Sequence, residues 1–237
     1  MGNTQQQCIF PKIRLGGALM LAVVFGFGAV TIQLARAQTL HVLYNFAGSA
    51  DGGDPYASLI RDAAGNLYST VDYGGTSFAG AVFKVAPNGT ETVLYSFSGG
   101  ADGAYPFSPL VRDGAGNLYG TTSMGGSANA GVVFKVDPSG TETVLHSFTG
   151  GKDGIIPIGG LLRDKAGNLY GVTSQGGTSN DGVLFKIGPH GKETILHTFT
   201  GSTKDGKYPS YTSLLTDALG NLYGVTEEGG AADGGIL

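Results

Sequence analysis

Four aspartates stand in the same setting along the chain, each followed by glycine in a glycine-rich stretch: Asp51-Gly52, Asp102-Gly103, Asp153-Gly154 and Asp205-Gly206. Carboxylates and backbone carbonyls in such loops are hard oxygen donors, and the chemistry they offer is the binding of calcium or of a polar ligand. Each loop holds one or two carboxylates, and none follows the EF-hand or the short-period calcium repeats. The competing reading is therefore a plain Asp-Gly turn. Histidine is the second candidate, as general base or metal ligand. His146 and His197 fall in the register held by Tyr44 and Tyr95, and a position that alternates with tyrosine reads as a packing or surface site. His41 and His190 read as exposed, and no two histidines have the spacing of a zinc site. There is no Gly-x-Ser-x-Gly elbow, and no Gly-Lys-Ser/Thr follows the Gly-Gly pairs. The sequence thus offers no catalytic residues and no metal site, with calcium at Asp51, Asp102, Asp153 and Asp205 as the one ion to consider.

The elements that must position these residues repeat. Gly-Asn-Leu-Tyr occurs at Gly65–Tyr68, Gly116–Tyr119, Gly167–Tyr170 and Gly220–Tyr223, with starts 51, 51 and 53 residues apart. Each copy runs in one order: an apolar run ending in Phe, the Asp-Gly loop, a proline, a second apolar run ending in Asp, Gly-Asn-Leu-Tyr, a Gly-Gly pair and, in the first three copies, a Phe-Lys run and a Pro-x-Gly turn. The runs are short and rich in Val, Ile, Phe, Tyr and Thr, which favour strands. None is long enough, or spaced at 3.6 residues, for a helix. Four strands per unit of about fifty residues predict an all-β fold, a β-propeller-like array of about four four-stranded blades. The repeats lie at about 40–89, 90–140, 141–191 and 192–237. The last blade is incomplete, which points to a fragment of a larger ring in preference to a closed four-bladed one. A β-solenoid is the runner-up, and no rung-length sub-repeat supports it.

Residues 1–37 read as a signal peptide: Lys12 and Arg14, an apolar stretch from Leu15 to Leu34, and Ala35-Arg36-Ala37 as a cleavage site. The alternative is an uncleaved membrane anchor. The only cysteine, Cys8, lies in this segment, so residues 38–237 would be exported without disulfides. They carry eleven basic and eighteen acidic residues, a formal charge of −7. That balance argues against a nucleic-acid partner, which needs a basic footprint.

The combined pattern is more specific than any of its parts. Asp113–Thr122, Gly125-Gly126, Val133–Lys135, Gly140–Leu145, Phe148 and Asp153–Pro157 together resemble the bacterial choice-of-anchor tandem repeat GloVer-containing family. The resemblance covers essentially all of residues 38–237, and it implies an exported repeat protein without assigning a reaction. The sequence departs from the family in showing no C-terminal anchor and few repeats, and the first repeat has Ser69 where the others have Gly120, Gly171 and Gly224.

Two functions are compatible with these readings. The first is a non-enzymatic binding or interaction scaffold for a protein or glycan, periplasmic, at the cell surface or outside the cell, touching membrane only through residues 15–34 if they are retained. The second is a propeller enzyme, a lyase or hydrolase, with its site at the central channel. The second requires polar residues that depart from the repeat and converge.

Overall fold

Strand formation here is dictated by punctuation. Glycine-rich turns leave runs of five or six residues between them, and β-branched and aromatic residues fill those runs. The computed structural model describes residues 40–211 and 213–237, together with the backbone of one antiparallel pair, Ala22–Val23 with Val30–Thr31. The rest of the expected leader, residues 1–37, lies outside the described residues. The chain divides into Met1–Asn45 and Phe46–Leu237, and the second unit holds every four-stranded sheet. Among the described residues there are only strands and turns, and no helix is long and apolar enough to cross a membrane.

Three antiparallel sheets succeed one another, each a four-stranded meander in chain order. The first comprises Ile60–Arg61, Leu67–Val71, Ala81–Val85 and Glu91–Ser96. The second comprises Val111–Arg112, Leu118–Thr122, Val132–Val136 and Glu142–Ser147, and the third Leu162–Arg163, Leu169–Thr173, Val183–Ile187 and Glu193–Thr198. The fourth unit holds two short pairs, Leu215–Thr216 with Leu222–Tyr223 and Gly206–Lys207 with Glu228–Gly229. The Ile236 N–H donates to Thr226 Oγ1 at 3.2 Å, as that of Val132 does to Thr122 Oγ1 at 3.2 Å. The fold is all-β and β-propeller-like, as the repeat spacing predicts. The sheets are offset from the sequence repeat by one strand. The apolar run that opens each copy, such as Val93–Phe97, completes the sheet before it.

The Asp-x-x-Gly-Asn-Leu-Tyr motif closes a hairpin on itself. Asp113 Oδ1 accepts from the backbone N–H groups of Ala115 and Asn117, both at 2.9 Å. Its Oδ2 accepts from Asn117 Nδ2 at 2.8 Å and from the Tyr119 hydroxyl at 2.9 Å. Asp62, Asp164 and Asp217 do the same with their own Asn and Tyr. The most regular motif of the sequence is thus spent on turn geometry. The Asn66 side chain, with Tyr68 and the Asn66 amide, holds the Asp62 carboxyl down to about 2.

Sheets are joined face to face by apolar side chains, and the third strand of the second sheet shows how. Val132, Phe134 and Val136 pack with Val82 and Phe97 on the side of the first sheet. Val133 packs with Leu169, Val183, Phe185 and Ile187 on the side of the third. Both faces of the strand are buried, so the alternation of apolar and polar residues typical of a half-solvated sheet is absent. At each junction the Phe that ends one apolar run meets the Phe of the next Phe-Lys run edge to face. Ring centroids are 4.9 Å apart for Phe46–Phe83, 5.0 Å for Phe97–Phe134 and 5.2 Å for Phe148–Phe185. An arginine bridges the second and third of these junctions, Arg112 over the Tyr68 ring at 5.8 Å and Arg163 over Tyr119 at 5.5 Å.

Ser69 now has a physical explanation. A Cβ on Gly120 would come within 2.7 Å of Phe134 Cζ and 2.9 Å of Leu110 Cδ2, and Gly171 is equally confined by Phe185 and Leu161. Leu110 is buried, whereas its counterpart in the first repeat, Leu59, is exposed. Ser69 has room, and its hydroxyl donates to the carbonyl of Ala57 at 3.1 Å.

Candidate functional site at the sheet junctions

The site is built from three pieces of backbone at each junction: the last strand of one sheet, the Asp-Gly loop after it, and the start of the last strand of the next sheet. The last strands carry an irregularity. Val144 lies opposite Phe134, but His146 lies opposite Val133, so Leu145 is an inserted residue. The same shift occurs between Val93 and Tyr95 and between Ile195 and His197. A bulge reverses the facing of the residues beyond it. It places His146 on the face of Val133, toward the third sheet. Glu193 lies opposite Ile187, on the third sheet's face toward the second. The two side chains therefore meet, and Asp153 joins them from the loop between the sheets.

The four Asp-Gly aspartates lie each at its own junction, and each is engaged by its own loop. Asp51 accepts from the Ala47 N–H at 2.8 Å and Asp153 from the Thr149 N–H at 2.7 Å and hydroxyl at 2.6 Å. Asp205 accepts from the Thr200 N–H and hydroxyl, both at 3.0 Å. Asp102 accepts from the Ser98 N–H at 2.7 Å, the Ser98 hydroxyl and the Tyr95 hydroxyl, the last at 2.9 Å. Burial opposes ionisation of Asp102, yet these donors from Ser98 and Tyr95 leave its carboxyl below its ordinary value.

A glutamate faces the aspartate at three junctions: Glu91 with Asp51, Glu142 with Asp102, and Glu193 with Asp153. Burial, and then the charge of the facing aspartate, pushes Glu142 and Glu193 up to about 7, and Glu91 up as well. Each of the three keeps a buried Oε1 without a hydrogen-bond partner. At the second junction Tyr95 spans the gap to Asp102. At the third, His146 stands in its place, and its Nε2 stops 3.7 Å from Asp153 Oδ2 and 3.6 Å from Glu193 Oε1. Burial lowers the His146 pKa despite Asp153. His146, Asp153 and Glu193 offer three ligand atoms within 4.8 Å of one another, the one such group of three or more among the described residues. At the fourth unit His197 Nε2 lies 3.1 Å from Asp205 Oδ1.

Sequence reasoning singled out Asp153 and missed its partners. It read His146 as a packing or surface position. That fits its contact with Phe148, ring centroids 4.8 Å apart, but overlooks where its nitrogen points. The signal for Glu193 was present in the recurrence of Gly-x-Glu-Thr at Glu91, Glu142 and Glu193. The bulge that joins the two had no signal.

The raised pKa of Glu142 gives a pH prediction. A carboxyl held at about 7 when folded, against 4.5 when unfolded, binds more protons in the native state. Its contribution to stability is present below pH 4.5 and is lost as pH rises through about 7. Asp102 and Tyr95 are the ionisable groups that face it. The urea midpoint of the wild type should fall across this window, and Glu142→Gln should make the fall shallower. Identical slopes would show that Glu142 ionises normally.

A family model described as the Gloeobacter/Verrucomicrobia repeat matches residues 17–237. No curated protein matches the chain. Among solved structures, the extracellular domain of a proposed hybrid two-component system from B. thetaiotaomicron is similar with a TM-score of 0.51 and 16% identity, over 88% of this chain and 24% of that one. A gluconolactonase from Xanthomonas campestris matches at 0.46 and 15%, over 76% and 61%. The calcium-binding protein regucalcin from Agrobacterium tumefaciens matches at 0.47 and 17%, over 74% and 54%. The chain spans between about a quarter and three fifths of these structures, and the first of them is a likeness of fold.

Proposed function

The chain belongs to the Gloeobacter/Verrucomicrobia repeat family, and from that premise we propose that it is an exported, non-enzymatic scaffold that binds a protein or glycan at the cell surface or outside the cell. Residues 1–37 serve as its export signal in this reading. The observation that carries the binding role is a set of aromatic rings left outside the core in the loops. Tyr56 is 67% exposed and lies 5.7 Å from the half-buried Phe107, ring centre to ring centre. Tyr73 and Phe78 are 45% and 51% exposed and 5.6 Å apart. Exposed rings held beside a second ring offer flat apolar faces on which sugar rings or peptide groups stack, at little entropic cost because each ring has two torsions. The repeated aspartates, by contrast, each accept hydrogen bonds from their own loops.

The enzyme reading needs polar residues that depart from the repeat. His146 shares its register with His197, and its neighbours Asp153 and Glu193 recur in phase at other junctions, so the binding reading is the better supported. Affinity electrophoresis of residues 38–237 through gels containing bacterial and plant polysaccharides tests it. Migration should be retarded by at least one polymer, and the triple variant Tyr56→Ser, Tyr73→Ser, Phe78→Ser should lose about tenfold in affinity with an unchanged unfolding midpoint. Full retention by the folded variant would remove the aromatic loops from the account. Shortening of a polymer during the run would favour the enzyme.

A further inference from the structure

We propose that His146, Asp153 and Glu193 form a binding site for a first-row divalent transition-metal ion, of which Zn2+ is the test case, at the junction of the second and third sheets. The inference does not depend on the scaffold role. It rests on a contrast between equivalent positions. At the preceding junction the Tyr95 hydroxyl reaches Asp102 at 2.9 Å and closes the gap with a hydrogen bond. The imidazole of His146 is shorter than a phenol, and its Nε2 lies too far for a hydrogen bond, 3.7 Å from Asp153 and 3.6 Å from Glu193. His146 Nε2 and Glu193 Oε1 are both buried and without a hydrogen-bond partner. Leaving such groups unpaired is costly, and a cation among them would satisfy both.

The spacing suits a small ion. Ligands about 2.0–2.2 Å from a tetrahedral metal are about 3.3–3.6 Å from one another, close to the two separations from His146 Nε2, 3.7 Å and 3.6 Å, and all three ligand atoms lie within 4.8 Å. An imidazole with two carboxylates suits zinc and its neighbours. Calcium prefers six to eight oxygens at longer distances. The ligands are also held in advance. Thr149 donates twice to Asp153, and the His146 ring lies edge-on to Phe148, at an interplanar angle of 82°. Such outer contacts orient ligands before the ion arrives. The second junction has the aspartate and the glutamate but a phenol in place of the imidazole. Among the described residues, one junction brings all three ligands together.

Isothermal titration of residues 38–237 with Zn2+, and with Co2+ monitored by its visible absorption, tests the proposal. The wild type should bind one Zn2+ per chain, and Zn2+ should raise its unfolding midpoint. His146→Tyr, which restores the residue of the second junction, should weaken binding at least about 100-fold, and the isosteric Glu193→Gln at least about tenfold. Both variants should lose the Zn2+-dependent rise in midpoint, whereas His197→Tyr should keep full affinity. Equal affinity in wild type and folded His146→Tyr, binding lost in His197→Tyr, or displacement of Zn2+ by equimolar Ca2+ would each overturn it.

Discussion

Replacing Phe134 by alanine is expected to lower the free energy of unfolding by about 3–5 kcal/mol. The ring is fully buried, meets Phe97 at 5.0 Å and confines Gly120 within its own sheet. Its removal leaves a cavity at the joint between two sheets. The backbone there is fixed by ladder hydrogen bonds on both sides, and the walls have little freedom to collapse inward. A sheet in such an array is stabilised largely by its neighbours, so the loss should appear in the unfolding of the array and not only locally. Urea unfolding followed by far-UV circular dichroism measures it. A loss below about 1 kcal/mol would show that Phe134 is not at a packed joint.

Gly125→Ala should be nearly as damaging, by about 3 kcal/mol, for a different reason. Gly125 has φ +76°, and a Cβ there would lie 2.5 Å from Gly103 Cα and 2.7 Å from Gly103 C. Left-handed backbone costs an L-residue about 1–2 kcal/mol, and the overlap adds about 1–3 kcal/mol because the obstacle is backbone that cannot turn aside. The Gly-Gly pair and the Asp-Gly loop are pressed together at this point. The Gly126 N–H donates to the Gly100 carbonyl at 2.9 Å, and that of Ala104 to the Met124 carbonyl at 2.8 Å. Gly114→Ala is the matched control, because a Cβ on Gly114 meets nothing within 4 Å. Its unfolding midpoint should stay at or slightly above that of the wild type. Equal losses in the two variants would mean that the close approach of Gly103 is not what requires glycine at position 125.

The periodicity in the sequence was enough to foresee strands, turns and the stacking of like units, because the residues that make them act over short distances. Asp113, Asn117 and Tyr119 lie within seven positions of one another, and their shared hairpin follows from local chemistry. The junctions were harder to read. The Val93–Phe97 run looks the same whether it opens one sheet or completes the previous one, and only the ladder with Ala81–Val85 decides. Bulges at Leu94, Leu145 and Leu196 leave no trace in the alternation of residue types, yet they turn Tyr95, His146 and His197 toward the next sheet. Asp153 was visible as a carboxylate in a glycine-rich loop. Glu193, forty residues further on, joins it only when two sheets pack, and a single sequence carries no record of that contact.

The face-to-face packing of successive sheets underlies both the joints and the site, and a double-mutant cycle on Phe97 and Phe134 tests it most directly. With leucine substitutions, which spare the fold, the pair should show a coupling energy of about 0.5–1.5 kcal/mol. Phe97 and Phe185, which sit in different clusters, should be additive to within about 0.5 kcal/mol. Additivity in the first cycle, or coupling in the second, would contradict the order in which the sheets are packed.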